Sequence, residues 1–71
     1  MKDLLKKRLT HFGELIALRF PNDENARNME MDNVKDTLFN MYSIFLLDNA
    51  EDINELMQTL TEAIEAKLKA N

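Results

Sequence analysis

The chain has 71 residues, of which 45% are hydrophobic and 31% are charged, with one Gly, one Pro and a net charge of −4. This composition excludes a collagen-like chain and a typical disordered segment, and the absence of Cys excludes disulfide frameworks and thiolate zinc sites. The acidic balance disfavours non-specific binding to nucleic acid. The length predicts a single helical domain over residues 1–71, of a size that usually needs regular helix packing or oligomerisation to be stable.

The first predicted helix covers residues 2–20. Its apolar residues recur at intervals of three and four positions, which is the spacing of one helix face: Leu5, Leu9, Phe12, Ile16 and Phe20. Pro21 ends the helix, because proline disfavours helical geometry in the residue before it. Gly13 lies inside the segment and is expected to weaken it by about 1 kcal/mol relative to Ala.

The second predicted helix covers residues 32–47 and follows a polar linker over residues 21–31. Asp32 or Asn33 is its expected N-cap, although the helix could begin several residues earlier. A short helical turn capped by Asn22 or Asp23 could also form within the linker. Its apolar residues form two adjoining stripes, which are Val34, Leu38, Met41 and Phe45, and Phe39, Tyr42 and Leu46. Two apolar faces predict that this is the central helix of the fold.

The third predicted helix covers residues 50–69, with Asn49 as its N-cap and acidic residues in the first turn. It has one narrow apolar stripe, formed by Ile53, Met57, Leu60 and Ile64. No segment shows the alternation of a β-strand. The sequence therefore predicts an all-α fold, a small three-helix bundle that is completed by homodimerisation.

The homodimer is expected because the first two helices carry more apolar surface than so short a bundle can bury. Arg is common in protein interfaces, so two arginines of the first helix are included in the predicted surface. The predicted protein-binding residues are Leu4, Arg8, Leu15, Leu18, Arg19, Phe39, Tyr42 and Leu46.

No catalytic motif is present, and the sequence predicts a non-enzymatic protein without a cofactor. His11 and Glu14 have the spacing of two metal ligands, but no third ligand lies near them in sequence, so a metal site is not expected. The leading hypothesis is a small helical interaction protein that binds and modulates, or inhibits, another protein or complex, besides binding itself. We expect a cytoplasmic location and no contact with a membrane, since no apolar run approaches the length of a membrane span.

An alternative hypothesis depends on the uneven distribution of charge. The third helix carries a row of carboxylates, Glu51, Glu55, Glu62 and Glu65, which could imitate a phosphate backbone. The chain would then be an acidic nucleic-acid mimic or competitor, such as a phage or mobile-element inhibitor of a host nuclease complex. Direct binding of nucleic acid by the basic start of the chain, Lys2, Lys6, Lys7 and Arg8, is the least favoured of these hypotheses.

Overall fold

A computed structural model describes residues 2–70, and over that range the chain forms three helices and no strand. Helix α1 spans Lys2–Arg19, α2 spans Glu24–Ser43 and α3 spans Glu51–Ala70. The predicted all-α class and the three-helix bundle are confirmed. The bundle measures 37 × 21 × 15 Å.

Helices α1 and α3 lie side by side and run in the same direction. Lys2 Nζ is 3.4 Å from Asp52 Oδ1 at their N-terminal ends, and Gly13 contacts α3 near Ala63 farther along. A Cβ atom placed on Gly13 would lie 2.9 Å from the Ala63 Cβ and 3.0 Å from the Leu60 carbonyl oxygen. Gly13 therefore lets two helix backbones approach closely, which the sequence prediction of a weakened helix did not foresee.

The core forms mainly between α1 and α3. Its buried apolar residues are Leu9, Ile16, Ala17, Leu38, Leu47, Ile53, Leu56, Leu60 and Ile64. Four of these residues come from α3, whereas within Glu24–Ser43 only Leu38 is buried. The prediction that the second helix is central is wrong, because its apolar residues are spread around its circumference. Besides the buried Leu38, Met31, Val34 and Met41 pack on the core only in part, and Met29, Phe39 and Tyr42 are exposed. The narrow stripe of α3 places its apolar residues on the core.

Helix α2 begins at Glu24, eight residues before the favoured start, so the earlier start that the sequence left open is the one observed. The predicted linker over residues 21–31 is therefore too long, because most of it is helical. Asp23 is the N-cap, and its carboxylate accepts a hydrogen bond of 3.0 Å from the Ala26 N–H. The Arg27 guanidinium donates a hydrogen bond of 2.7 Å to the Phe20 carbonyl and braces the turn between α1 and α2. Once the first turn is capped, the Met, Glu and Arg residues that follow favour continuation of the helix.

Helix α2 also ends earlier than the predicted residue 47, at Ser43. Phe45 has a φ of 64°, and this left-handed conformation breaks the helix. Leu47 then turns back into the core, and the Asn49 side chain accepts a hydrogen bond of 2.9 Å from the Glu51 N–H at the start of α3. The cap predicted at Asn49 is therefore confirmed.

Candidate protein-interaction surfaces

The outer face of α1 carries a stripe that the bundle does not cover. We call Leu4, Arg8, His11, Leu15 and Leu18 the α1 stripe; they follow one another at intervals of four and three residues along one helix face. The three leucines remain 51%, 42% and 54% exposed, and Arg8 and His11 are exposed between them. Leu15 follows Gly13 by two residues, about 200° around the helix, which turns the stripe away from α3.

The α1 stripe borders an open groove of about 470 Å³, which we call the α1 groove. Its lining is Leu4, Leu5, Lys7, Arg8, Leu9, His11, Phe12 and Leu15. The floor is therefore apolar, and the nitrogen-bearing side chains are those of Lys7, Arg8 and His11. Over residues 2–70, neither Lys7 nor Arg8 forms an ion pair with an acidic residue of the chain. The groove thus combines apolar contact area with uncompensated positive charge.

Arg19, the second predicted arginine, is exposed at the C-terminal end of α1. It borders a small depression together with Phe12, Leu15 and Phe20 of the same helix region and Glu30 of α2. Arg8 and Arg19 thus both lie at the edge of apolar surface, and their role in binding a partner stays a prediction.

A second exposed apolar surface lies where α2 ends. We call Tyr42, Ile44, Phe45 and Leu46 the turn patch; all four are exposed, and Phe45 is the most exposed at 89%. The backbone there follows a Schellman motif, in which the Phe45 N–H donates to the Tyr42 carbonyl at 3.1 Å and the Leu46 N–H donates to the Met41 carbonyl at 2.8 Å. Glycine normally occupies the position that Phe45 holds, since a side chain there is strained.

The two groups of predicted interface residues lie on separate surfaces of the protein. The residues of α2 that border the cleft with α1 include Glu30, Val34, Thr37 and Met41. Phe39 follows Thr37 by two residues, about 200° around the helix, and so points away from α1. Phe39, Tyr42 and Leu46 are exposed as predicted, but they do not extend the α1 stripe.

Sequence analysis placed Phe45 in an apolar helix stripe with Leu38 and did not include Ile44 in the interface. Both residues lie in the turn because the helix ends before them. Met29, which is 68% exposed, was also not included. The run Ile44–Leu47 carries no glycine to mark a helix end, so no sequence signal distinguishes the one buried residue, Leu47, from its three exposed neighbours.

The row of carboxylates on α3 is exposed, but one of its four members is compensated. Glu55 Oε1 accepts a hydrogen bond from Lys6 Nζ at 2.7 Å, and Glu55 Oε2 lies 3.0 Å from Lys2 Nζ. The hydrogen bonds from Lys6 and then Lys2 hold the pKa of the Glu55 carboxyl below its ordinary value. The same contact with Glu55, together with Asp52, raises the pKa of Lys2. Glu51, Glu62 and Glu65 have no such lysine partner within residues 2–70.

Within residues 2–70, no group of three or more His, Asp or Glu side chains is arranged to hold a metal ion, and His11 with Glu14 is not extended by a third ligand. None of the helices described over that range combines the length and the hydropathy that a membrane span requires. Comparisons with protein-family models, curated proteins and solved structures find no match to the chain.

Proposed function

We propose that the protein is a non-enzymatic interaction module that binds another protein through the outer face of α1 and modulates that partner. The observation that carries the proposal is the α1 stripe with its groove, where three half-exposed leucines surround Arg8 and His11. A continuous apolar surface with arginine at its edge is the composition of a protein-binding site. The cytoplasm is the location we propose for this activity.

We propose a second copy of the chain as the first partner of this face. The bundle has a small core, with nine buried apolar residues in the described chain, and nine large apolar side chains remain exposed. Self-association would remove part of that surface from water, and two-fold dimers are the commonest soluble oligomers. The other protein that the module modulates would compete with, or bind beside, the second copy.

The mimic hypothesis has less support, because Lys2 and Lys6 offset the charge of Glu55 in the middle of the carboxylate row. A nucleic-acid mimic needs uncompensated negative charge at regular intervals. Partner binding at the carboxylate row of α3 is therefore the alternative result of the crosslinking experiment described next.

Site-specific photo-crosslinking tests the proposal. A photoreactive amino acid replaces Leu15 in the α1 stripe in one variant, and Gln58 in the carboxylate row of α3 in a matched control. Both positions are exposed, so neither replacement should disturb the core. We expect crosslinked products, to a second copy or to another protein, from position 15 and none from position 58. Products only from position 58 would support the mimic instead, and no product from either would contradict both.

A further inference from the structure

Phe45 is not explained by the fold that contains it. Its left-handed backbone conformation is one that glycine adopts without strain, and its side chain is 89% exposed. The fold therefore contains a strained residue with an exposed aromatic ring, and the ring makes almost no packing contacts that would offset the strain. Strained positions of this kind concentrate at sites of function.

The α1 groove has the chemistry to receive this ring. It is an open depression on the face of α1, and its lining includes the apolar side chains of Leu4, Leu9 and Phe12. Arg8 at the rim could stack on the face of an inserted ring, as arginine does in cation–π contacts.

Charge indicates which chain segment belongs in the groove. The rim carries Lys7, Arg8 and His11, whereas the turn patch is followed by Asp48 and Glu51, with no basic residue from 44 to 52. Asp52, the next acidic residue, is already paired with Lys2 of its own chain. Pairing α1 with α1 of a second copy would instead bring together Lys7 and Arg8 of both copies, and within residues 2–70 neither side chain is paired with an acidic residue of its own chain. Complementary charge favours the turn patch over a second α1 as the occupant of the groove.

We propose that the turn patch of a second copy docks into the α1 groove, with Phe45 as the inserted residue. The inference rests on the homodimer of the proposed function and specifies its contact. Each copy offers one turn patch and one groove, so a two-fold axis makes two equal contacts and leaves neither surface open. The arrangement would cover parts of both exposed apolar surfaces of each copy.

Engineered cysteines test the contact in a chain that has no native Cys. Ser43→Cys places a thiol beside Phe45, and His11→Cys places one at the groove rim. Under mild oxidation, a mixture of the two variants should form a mixed disulfide, because the bond needs close approach of the two residues. A mixture of His11→Cys with Gln58→Cys is the matched control and should not. Preferential disulfide formation by His11→Cys alone would show α1 against α1 and overturn the inference, as would a mixture that gives no mixed disulfide.

Phe45→Ala provides a second measurement. The exposed ring contributes little to the fold, so the variant should keep wild-type helical content by circular dichroism. We expect its dimer dissociation constant, from sedimentation equilibrium, to rise by at least about tenfold, because a buried aromatic anchor is a typical hot spot. An unchanged constant would overturn the docking of Phe45 while leaving the homodimer of the proposed function in place. A wild-type chain that remains monomeric at hundreds of micromolar would overturn this inference and the homodimer, but not a crosslink from position 15 to another protein.

Discussion

Replacing Phe45 by glycine should make the isolated bundle more stable. A left-handed conformation costs an ordinary residue about 1–2 kcal/mol, and glycine avoids that strain. Glycine also loses more conformational entropy on folding, which returns about 0.5–1 kcal/mol of the gain. Since the ring is 89% exposed, its removal costs little packing. The net expectation for Phe45→Gly is a gain of about 0.5–1 kcal/mol in the free energy of unfolding of the monomer.

Urea denaturation followed by circular dichroism measures this gain, at protein concentrations low enough to keep the chain monomeric. With a urea m-value of about 1 kcal/mol/M for so small a domain, the midpoint should rise by about 0.5–1 M. Phe45→Ala is the matched control, because it removes the same ring but keeps a Cβ in the strained conformation, and its midpoint should stay near that of the wild type. A Phe45→Gly variant less stable than Phe45→Ala would refute the strain argument.

Gly13→Ala should lower the free energy of unfolding by about 1–2 kcal/mol, because the clash with Ala63 and the Leu60 carbonyl outweighs the gain in helix propensity. Urea denaturation beside the exposed control Asn54→Ala measures this, and a more stable Gly13→Ala variant would contradict the close contact of α1 and α3. Glu55→Gln should reduce the loss of stability between about pH 7 and about pH 3. The lowered pKa of the Glu55 carboxyl means that its ionised form stabilises the fold above the ordinary pKa, and this contribution is lost as the pH falls through the lowered pKa. Glu62 has no lysine partner within residues 2–70, so Glu62→Gln should keep the wild-type pH dependence of the urea midpoint. The same pH dependence in both variants would contradict the stabilisation of Glu55 by Lys2 and Lys6. Arg8→Ala combined with Arg19→Ala should weaken partner binding by about 1–2 kcal/mol, measured by sedimentation or calorimetry. Replacement of Glu51, Glu55 and Glu62 by Gln should leave the affinity for the partner nearly unchanged. The reverse ranking would favour the carboxylate row.

The sequence predicts those parts of the fold that are decided locally. Helical spacing and Pro21 define α1 to within a residue, and the amide of Asn49 marks the start of α3. The exposure of Leu4 and Leu15 also follows from their position beside the main stripe of α1. These features need only the period of the helix and the chemistry of its ends.

The parts that sequence reasoning missed depend on contacts between distant residues. Gly13 reads as a weak point within α1, and only the position of Ala63 across the helix interface shows that a larger residue would not fit. The end of α2 depends on Leu47, which must reach the core while its neighbours stay outside. The left-handed backbone at position 45 follows from that tertiary demand and has no local sequence signal, whereas the demand does not explain why the residue there is aromatic.

The proposed docking at the α1 groove would involve side chains on which α2 also packs. Helix α2 has one buried residue, Leu38, and is the least firmly packed of the three helices. Leu5, Leu9 and Phe12 line the α1 groove on one side and the cleft with α2 on the other. A partner that fixes these side chains therefore also fixes the surface on which α2 rests. Because such a partner binds the folded chain in preference to the unfolded one, it stabilises the bundle by mass action and suppresses local opening of α2. Binding at the groove would therefore act on the packing of the helix that has the fewest buried residues.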